Sequence, residues 1–164
     1  MQSRGWVESA EAMARLEARL DRVLSGDELP RDAPQRIEFA DLLYKKALHA
    51  EAARMWAEAF AEDAALADDL ARNNRYNAAC SASLAAARGE ADAAESRRHA
   101  LEWLRADLAA QKAATRLAAD LEHWKADPDL AVVRDRLDDL PFAEREGWKK
   151  LWADVAALVA REGN

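Results

Sequence analysis

Histidine and cysteine are the side chains in this sequence best suited to metal binding or nucleophilic chemistry. His49, His99 and His123 fall on three different predicted helices, so a metal site would require the fold to bring them together beside carboxylates. Glu95, His99 and Glu102 do share one face of a predicted helix. Ordinary surface ion pairs produce the same spacing in a chain of which 34% of the residues are charged. The sequence therefore predicts no metal site and no cofactor.

Cys80 is the single cysteine, which excludes an internal disulfide and fits a reducing compartment. A catalytic thiol needs a neighbouring base and surroundings that favour the thiolate. The flanking sequence "NAACSASLAAA" supplies alanine and serine instead. We predict that Cys80 is a small residue buried where helices pack, and that the chain has no catalytic residue.

The charge balance and the hydropathy restrict the classes of partner. The net charge of −7 repels a phosphate backbone, and no basic patch interleaved with aromatic residues offsets it. No stretch approaches the ~20 apolar residues of a membrane span. The N-terminal sequence "MQSRGWVESAEAMARLEARL" carries charges throughout and lacks the apolar core of a signal peptide. We predict a cytoplasmic protein that binds neither nucleic acid nor membrane.

The composition favours helices, because alanine, leucine, glutamate and arginine dominate while valine and isoleucine are few and scattered. Apolar residues recur at helical spacing in successive segments. These segments predict helices at about 6–25, 34–46, 49–62 and 73–88, two more within "SRRHALEWLRADLAA" and "TRLAADLEHWKA", and a last one opened by Pro141.

Local signals fix some of the helix boundaries. Asp32, followed by Ala-Pro, is typical of a helix start, and Gly89 is typical of a helix end. Near Ala47 there is no glycine or proline, and only a repeat pattern, described below, divides this segment into two helices. No strong breaker marks the joint between Leu108 and Leu121, whose position is left open.

The six tryptophans divide into two groups by their position relative to the apolar stripes. Trp56, Trp124, Trp148 and Trp152 lie on stripes and are predicted to pack in the core. Trp6 precedes the first stripe, so we predict that it is exposed or contacts a partner.

Small and large residues alternate in a recognisable way within residues 36–64. The stretch "RIEFADLLYKKALHAEAARMWAEAFAEDA" resembles a tetratricopeptide repeat (TPR) without gaps. The small first-helix position of that family falls on Ala40, its most constant second-helix alanine on Ala52, and the following aromatic on Trp56. The resemblance implies that the two alanines let the helix axes approach to about 8–10 Å, while Trp56 and Phe60 fill the space toward the next pair.

A second, looser repeat begins at "RYNAACSASLAAA" and resumes at "ALEWLRADL". Ala78 and Ala79 take the small positions of its first helix, and Ala100 and Trp103 take the corresponding positions of its second. The intervening segment is longer than the usual turn of the family, so the second helix is predicted to be displaced or extended.

Four segments in fixed order resemble a more specific family. "RYNAAC", "ALEWLRADL", "HWKADPDLAVVRD" and "LPFAEREGWKKLWADVAALV" look like the TPR-containing C-terminal region of bacterial eukaryotic-like serine/threonine protein kinases of the planctomycete type. The similarity runs from about residue 36 to 161. The kinase itself has no counterpart in the sequence, which lacks the glycine-rich phosphate loop and the His-Arg-Asp and Asp-Phe-Gly motifs. The resemblance implies an excised module or a small stand-alone relative.

The TPR resemblance also implies where a ligand would lie. The first helices of such pairs line a groove, which gives Ile37, Asp41, Tyr44, Lys45 and Asn77 as candidate peptide-groove residues. In the family, an asparagine at the position of Asn77 either holds the terminal carboxylate of a ligand or ties helices together. Asp41 would repel a carboxylate, so we reject a carboxylate clamp and interpret Asn77 as structural.

We therefore predict an all-α fold, namely an α-α superhelix of TPR-like helical hairpins with extra capping helices. A single domain over residues 1–164 would comprise an N-terminal capping helix at 1–32, hairpins at 33–71 and 72–109, and C-terminal helices at 110–164. The predicted function is non-catalytic protein–protein interaction with a protein or peptide partner, in a regulatory or targeting region associated with a bacterial Ser/Thr protein kinase. One alternative is a structural capping or dimerisation domain without a free groove, and another is a small all-α enzyme, which would need converging ionisable groups.

Overall fold

The computed structural model describes the backbone of residues 4–90, 92–114 and 118–162, and the side chains of residues 9–90, 92–114 and 120–161. Every regular element in these ranges is helical, which confirms the predicted all-α class. The eight α-helices of the described ranges are α1 (Arg4–Ser25), α2 (Ala33–Lys45), α3 (His49–Glu62), α4 (Asn74–Arg88), α5 (Ala93–Ala114), α6 (Ala118–Ala126), α7 (Ala131–Arg134) and α8 (Phe142–Glu162). Short 3-10 turns lie at Ala64–Leu66, Pro128–Leu130 and Leu137–Asp139.

The predicted helix boundaries are confirmed where local signals set them. The Asp32 side chain accepts a hydrogen bond from the backbone N–H of Gln35 and so caps the start of α2. Gly89 ends α4 with a φ of 66°, in the left-handed region that glycine adopts readily. Ala47 has a φ of 60° and separates α2 from α3, as the repeat pattern requires. The joint between α5 and α6 falls at 115–117, outside the described residues.

Two apolar cores hold the helices together. One joins α1, α2 and α3, and the other joins α4, α5 and α6 with α7 and α8. Ala78 of α4 belongs to the first core and Ala53 of α3 to the second, so the layers share a boundary between α3 and α4. Phe60 and Trp103 meet edge to face across this boundary, with ring centroids 5.9 Å apart.

The predicted alanines lie at helix contacts. All five, namely Ala40, Ala52, Ala78, Ala79 and Ala100, have no exposed surface. Successive helices pack on one another from α1 to α5, and α8 packs against both α5 and α6. A methyl group leaves room for close approach of two helix backbones, so these positions determine how tightly the helices pack.

The predicted roles of the tryptophans are confirmed where the structure describes them. Trp56, Trp124 and Trp148 are each 1% exposed. Trp152 is half-buried, packs against the second core, and donates its indole N–H to the carbonyl oxygen of Val133 at 2.7 Å. The side chain of Trp6 lies outside the described residues. Within the described part of the chain, no helix combines the length and apolarity needed to cross a bilayer.

A carboxylate is buried on α5 with little compensation. Asp107 is 1% exposed, and among the described residues its one hydrogen bond comes from Gln111 Nε2, 2.6 Å from Asp107 Oδ2. The charge of Arg75 lowers the pKa of Asp107, and the charge of Asp120 raises it. Burial is the largest influence and raises the pKa of Asp107 above its ordinary value.

Replacing Asp107 by asparagine is expected to raise the free energy of unfolding near pH 7. Because the folded-state pKa is raised, folding favours the neutral acid, and stability falls as the pH rises from below the ordinary aspartate pKa through the folded-state pKa. Asparagine stays neutral and keeps a hydrogen bond to Gln111, and each unit of upward pKa shift is worth about 1.4 kcal/mol. Urea unfolding of both proteins should show that the asparagine variant gains stability over the native chain at about pH 7. The gain should be smaller at about pH 3. A loss near pH 7, or a gain independent of pH, would contradict the buried-charge explanation.

Candidate functional site

A cavity of about 380 Å³ opens between α2, α4 and the segment that leaves α6. Its wall includes two tyrosines and three aspartates. We call it the tyrosine cavity, and its lining residues include Asp41, Tyr44, Lys45, Tyr76, Asn77, Cys80, His123, Asp127 and Asp129. The site therefore depends on α2, on α4 and on the chain that follows α6.

The turn at Pro128–Leu130 fixes two of the aspartates. Asp127 Oδ1 accepts the backbone N–H of Asp129 at 2.9 Å, and Pro128 occupies the first turn, where its missing N–H is not needed. Leu130 is fully buried in the second core. Arg134 donates to the carbonyl oxygens of Asp127, at 2.7 Å, and Trp124, at 3.1 Å. These contacts fix the conformation of the turn, which packs against α4.

The two tyrosine hydroxyls point at these aspartates. Tyr76 donates to Asp127 Oδ2 at 2.5 Å, and Tyr44 donates to Asp129 Oδ2. The Tyr76 ring also stacks on Trp124 of α6, with centroids 5.4 Å apart and planes 17° from parallel. The first helices of both predicted hairpins are thereby connected to one acidic turn.

The hydroxyls of Tyr44 and Tyr76 and the thiol of Cys80 all have raised pKa values, which favour their neutral forms. Burial raises the pKa of both Tyr44 and Tyr76 well above the usual value, and the hydrogen bonds to the aspartates add to the effect. Burial also raises the pKa of Cys80 well above its usual value, and the charges of Asp127 and Asp129 act in the same direction. At neutral pH the tyrosines are therefore donors, and Cys80 is a poor nucleophile.

Some of these side chains could hold a metal ion. Cys80 Sγ and carboxylate oxygens of Asp127 and Asp129 lie within 4.8 Å of one another, and His123 Nε2 lies 3.2 Å from Asp127 Oδ2. Sulfur, imidazole and carboxylate ligands of this kind bind zinc. Here Asp127 already accepts the hydroxyl of Tyr76, and Asp129 accepts the hydroxyl of Tyr44. The arrangement is better described as a hydrogen-bonded network than as a metal centre.

Sequence reasoning did not anticipate that Cys80 and His123 would converge. The structure does not bring the three histidines together at one site. His99 stacks on Trp103, at 5.2 Å between centroids, and His49 is buried against the ring of Tyr44. The i, i+4 spacing of His123 and Asp127 in "HWKADPD" was the local signal available.

The pair of glutamates beside His99 forms surface ion pairs, as the sequence analysis expected. Arg98 lies 3.7 Å from Glu95 and 3.0 Å from Glu102, and all three side chains are more than half exposed. A metal ion would have to displace this arginine from both carboxylates.

Four of the five candidate groove residues lie together. Asp41, Tyr44, Lys45 and Asn77 all line the tyrosine cavity. Ile37 does not belong with them, because its side chain is 6% exposed and packs in the first core. Spacing alone places Ile37 on the same face as Asp41, one turn earlier.

The burial of Ile37 follows from α1. That helix packs on α2 and contributes Leu16, Leu20 and Val23 to the core that contains Ile37. Asn77 donates through Nδ2 to the carbonyl oxygen of Arg72 at 3.4 Å, a local contact at the start of α4. This contact is consistent with a structural role for the asparagine.

A second cavity, of about 590 Å³, continues the first between α1 and α2. We call it the arginine cavity, after Arg15, Arg19 and Arg31 in its wall. Asp41 and Lys45 line both cavities, so the two adjoin along the exposed face of α2, and we call them together the groove.

The residues at the junction of the two cavities are not committed to other contacts. Across the described part of the chain, no hydrogen-bond donor or cation lies within bonding distance of the Asp41 carboxylate, and none of the ion pairs includes Lys45. Desolvation by the surrounding atoms raises the pKa of Asp41, and the charge of Lys45 opposes this. The middle of the groove thus carries two charged side chains free to contact a ligand.

No protein-family model, curated protein or solved structure matches this chain. The resemblance to the TPR-containing region of bacterial kinases stays a prediction.

Proposed function

We propose that this protein is a non-catalytic protein–protein interaction module of TPR-like helical hairpins. In this proposal α2 and α3 form one hairpin, α4 and α5 form the next, and the first helix of each lines the binding groove. The module would serve as a regulatory or targeting region associated with a bacterial Ser/Thr protein kinase.

The observation that carries the proposal is the groove of two adjoining cavities along α2. Its walls hold charged side chains and the partly exposed Tyr44, all of which lie outside the cores, while fully buried alanines hold the helices behind it. Residues that are exposed, polar and convergent on a rigid helical scaffold are typical of peptide-binding surfaces. The raised pKa of Cys80 disfavours nucleophilic chemistry by its thiol at neutral pH.

A structural role is the second candidate, and one observation favours it. The turn at Pro128–Leu130 packs against α4 and receives both tyrosine hydroxyls, so the chain itself closes one end of the groove. If the remaining groove is too short to hold a partner, the helices serve to cap or dimerise a larger assembly.

Selection from a random peptide library on the immobilised protein tests the proposal. A double charge reversal, Asp41→Arg with Lys45→Glu, alters the groove, and a matched reversal on exposed α8 positions, Asp154→Arg with Lys149→Glu, leaves it intact. We expect peptides that are enriched by the native chain and by the α8 variant and lost with the groove variant. Light scattering of the same samples reports the oligomeric state.

The two functions predict different results in this experiment. The binding proposal would be contradicted if the native chain enriches no peptide whose binding is lost in the groove variant. A stable dimer that is lost in the groove variant would favour the structural role instead.

A further inference from the structure

We propose that the groove binds an extended peptide that places a lysine or arginine side chain in the tyrosine cavity and an acidic side chain in the arginine cavity. This inference rests on the proposed binding function and adds the chemistry of the partner. It follows from how charge is distributed between the two cavities.

The tyrosine cavity is built to receive a cationic group. Asp41, Asp127 and Asp129 contribute three carboxylates to its wall, against Lys45 and the imidazole of His123. His123 already lies 3.2 Å from Asp127 Oδ2. A carboxylate offers about four lone-pair positions, so the remaining positions can accept N–H groups from an ammonium or guanidinium.

The carboxylates of this cavity differ in how far they are already satisfied. Asp127 accepts hydrogen bonds from Tyr76 and from the backbone of Asp129. Asp129 accepts one from Tyr44, and Asp41 accepts none from the described residues. Asp41 and Asp129 therefore retain most of their capacity, and the partly exposed ring of Tyr44 adds an aromatic surface beside them.

The arginine cavity has the opposite character. Arg15, Arg19 and Arg31 outnumber Glu38 in the part of its wall that the tyrosine cavity does not share. Arg19 is already bonded to Glu28, at 2.5 Å, and to the side-chain oxygen of Gln35, at 3.1 Å. Arg15 and Arg31 each have one pairing at the outer surface, with Glu11 at 3.5 Å and with Asp32 at 3.1 Å. A guanidinium has five N–H donors, so a single pairing leaves donors on Arg15 and Arg31 for a carboxylate of the ligand.

The length of α2 along the two cavities gives the scale for the probe peptides. Gln35 lines the arginine cavity and Lys45 lines both, and they lie on one helix ten residues apart by their numbering. A helix rises about 1.5 Å per residue, so this separation is about 15 Å. An extended peptide spans about 3.3 Å per residue, so four or five of its residues cover this length.

Fluorescence anisotropy with defined peptide pools tests the proposal. The probes are fluorescein-labelled pools Glu-X4-Lys and Lys-X4-Glu, with X a mixture of serine, threonine, alanine and valine, since the direction of the bound chain is open. We expect one pool to bind the native protein. Changing its lysine to glutamine should weaken binding at least tenfold, and raising the salt concentration should weaken it further.

A charge swap makes the assignment specific. The Asp41→Arg variant should no longer bind the lysine-containing pool. It should instead bind the pool in which glutamate replaces that lysine. Asp21→Arg is the matched control, because Asp21 is exposed on α1, lines neither cavity and has no ion pair among the described residues. The control should bind as the native chain does.

Three results would overturn the inference. Binding that is unchanged by the lysine-to-glutamine substitution excludes recognition of a cation. Stoichiometric binding of Zn²⁺ that displaces the peptide and is lost in Cys80→Ser makes the cavity a metal site instead. Selection of groove-dependent peptides that lack the predicted charges overturns this inference alone, whereas the absence of any groove-dependent peptide overturns the proposed function as well.

Discussion

Replacing Ala79 by leucine is expected to lower the free energy of unfolding by about 1–3 kcal/mol. Ala79 lies in the middle of α4, has no exposed surface, and belongs to the core between α4, α5 and the helices beyond. Three added carbon atoms have no space at this position, so the helices must separate or adopt strained rotamers. Urea unfolding followed by circular dichroism measures the change.

The control for this prediction lies on the same helix. Ala87→Leu introduces the same side chain at an exposed position of α4 and should change the free energy of unfolding by no more than about 0.5 kcal/mol. Equal effects of the two substitutions would show that helix propensity, and not close packing, governs the alanine positions.

The sequence predicted those parts of the fold that local chemistry controls. Asp32 caps α2 through a bond to a residue three positions away, and Gly89 ends α4 through its own backbone conformation. The alanine positions were also predictable, because the repeat pattern specifies which residues face a neighbouring helix. The break at Ala47 depended on that pattern alone, since nothing in its composition marks a turn.

Contacts between distant segments could not be predicted in the same way. Tyr76 and Asp127 are 51 residues apart, and nothing near either residue indicates that they bond. Ile37 shares the helical face of Asp41, and its burial depends on where α1 packs. A helical period gives the direction of a side chain on its own helix, but only the packing of the other helices decides whether that direction is open.

For the same reason, the sequence predicted only part of the candidate site. Four residues of the cavity wall follow from the first helices of the two predicted hairpins, namely Asp41, Tyr44, Lys45 and Asn77. The acidic turn that completes the tyrosine cavity comes from a segment outside the repeat pattern. The repeat pattern therefore could not predict the charge of the site, which determines the proposed ligand.

Replacing Trp124 by alanine is expected to lower the free energy of unfolding by about 3–5 kcal/mol. Its side chain is 1% exposed, stacks on Tyr76 and leaves a large void when removed. The backbone carbonyl oxygen of residue 124, which alanine retains, accepts a hydrogen bond from Arg134 and so connects α6 to the turn at Pro128–Leu130. The loss of this packing should loosen the acidic wall of the tyrosine cavity before the other helices unfold.

Two measurements distinguish this local effect from a general loss of stability. Phe142→Ala removes an aromatic side chain that is 83% exposed in the same part of the chain, and should change the free energy of unfolding by no more than about 0.5 kcal/mol. In Trp124→Ala, amide hydrogen exchange should increase most at residues 127–134 and at the start of α4, while α2 and α3 stay protected. Uniform loss of protection would mean that Trp124 stabilises the whole chain as one unit and that the acidic turn has no separate dependence on it.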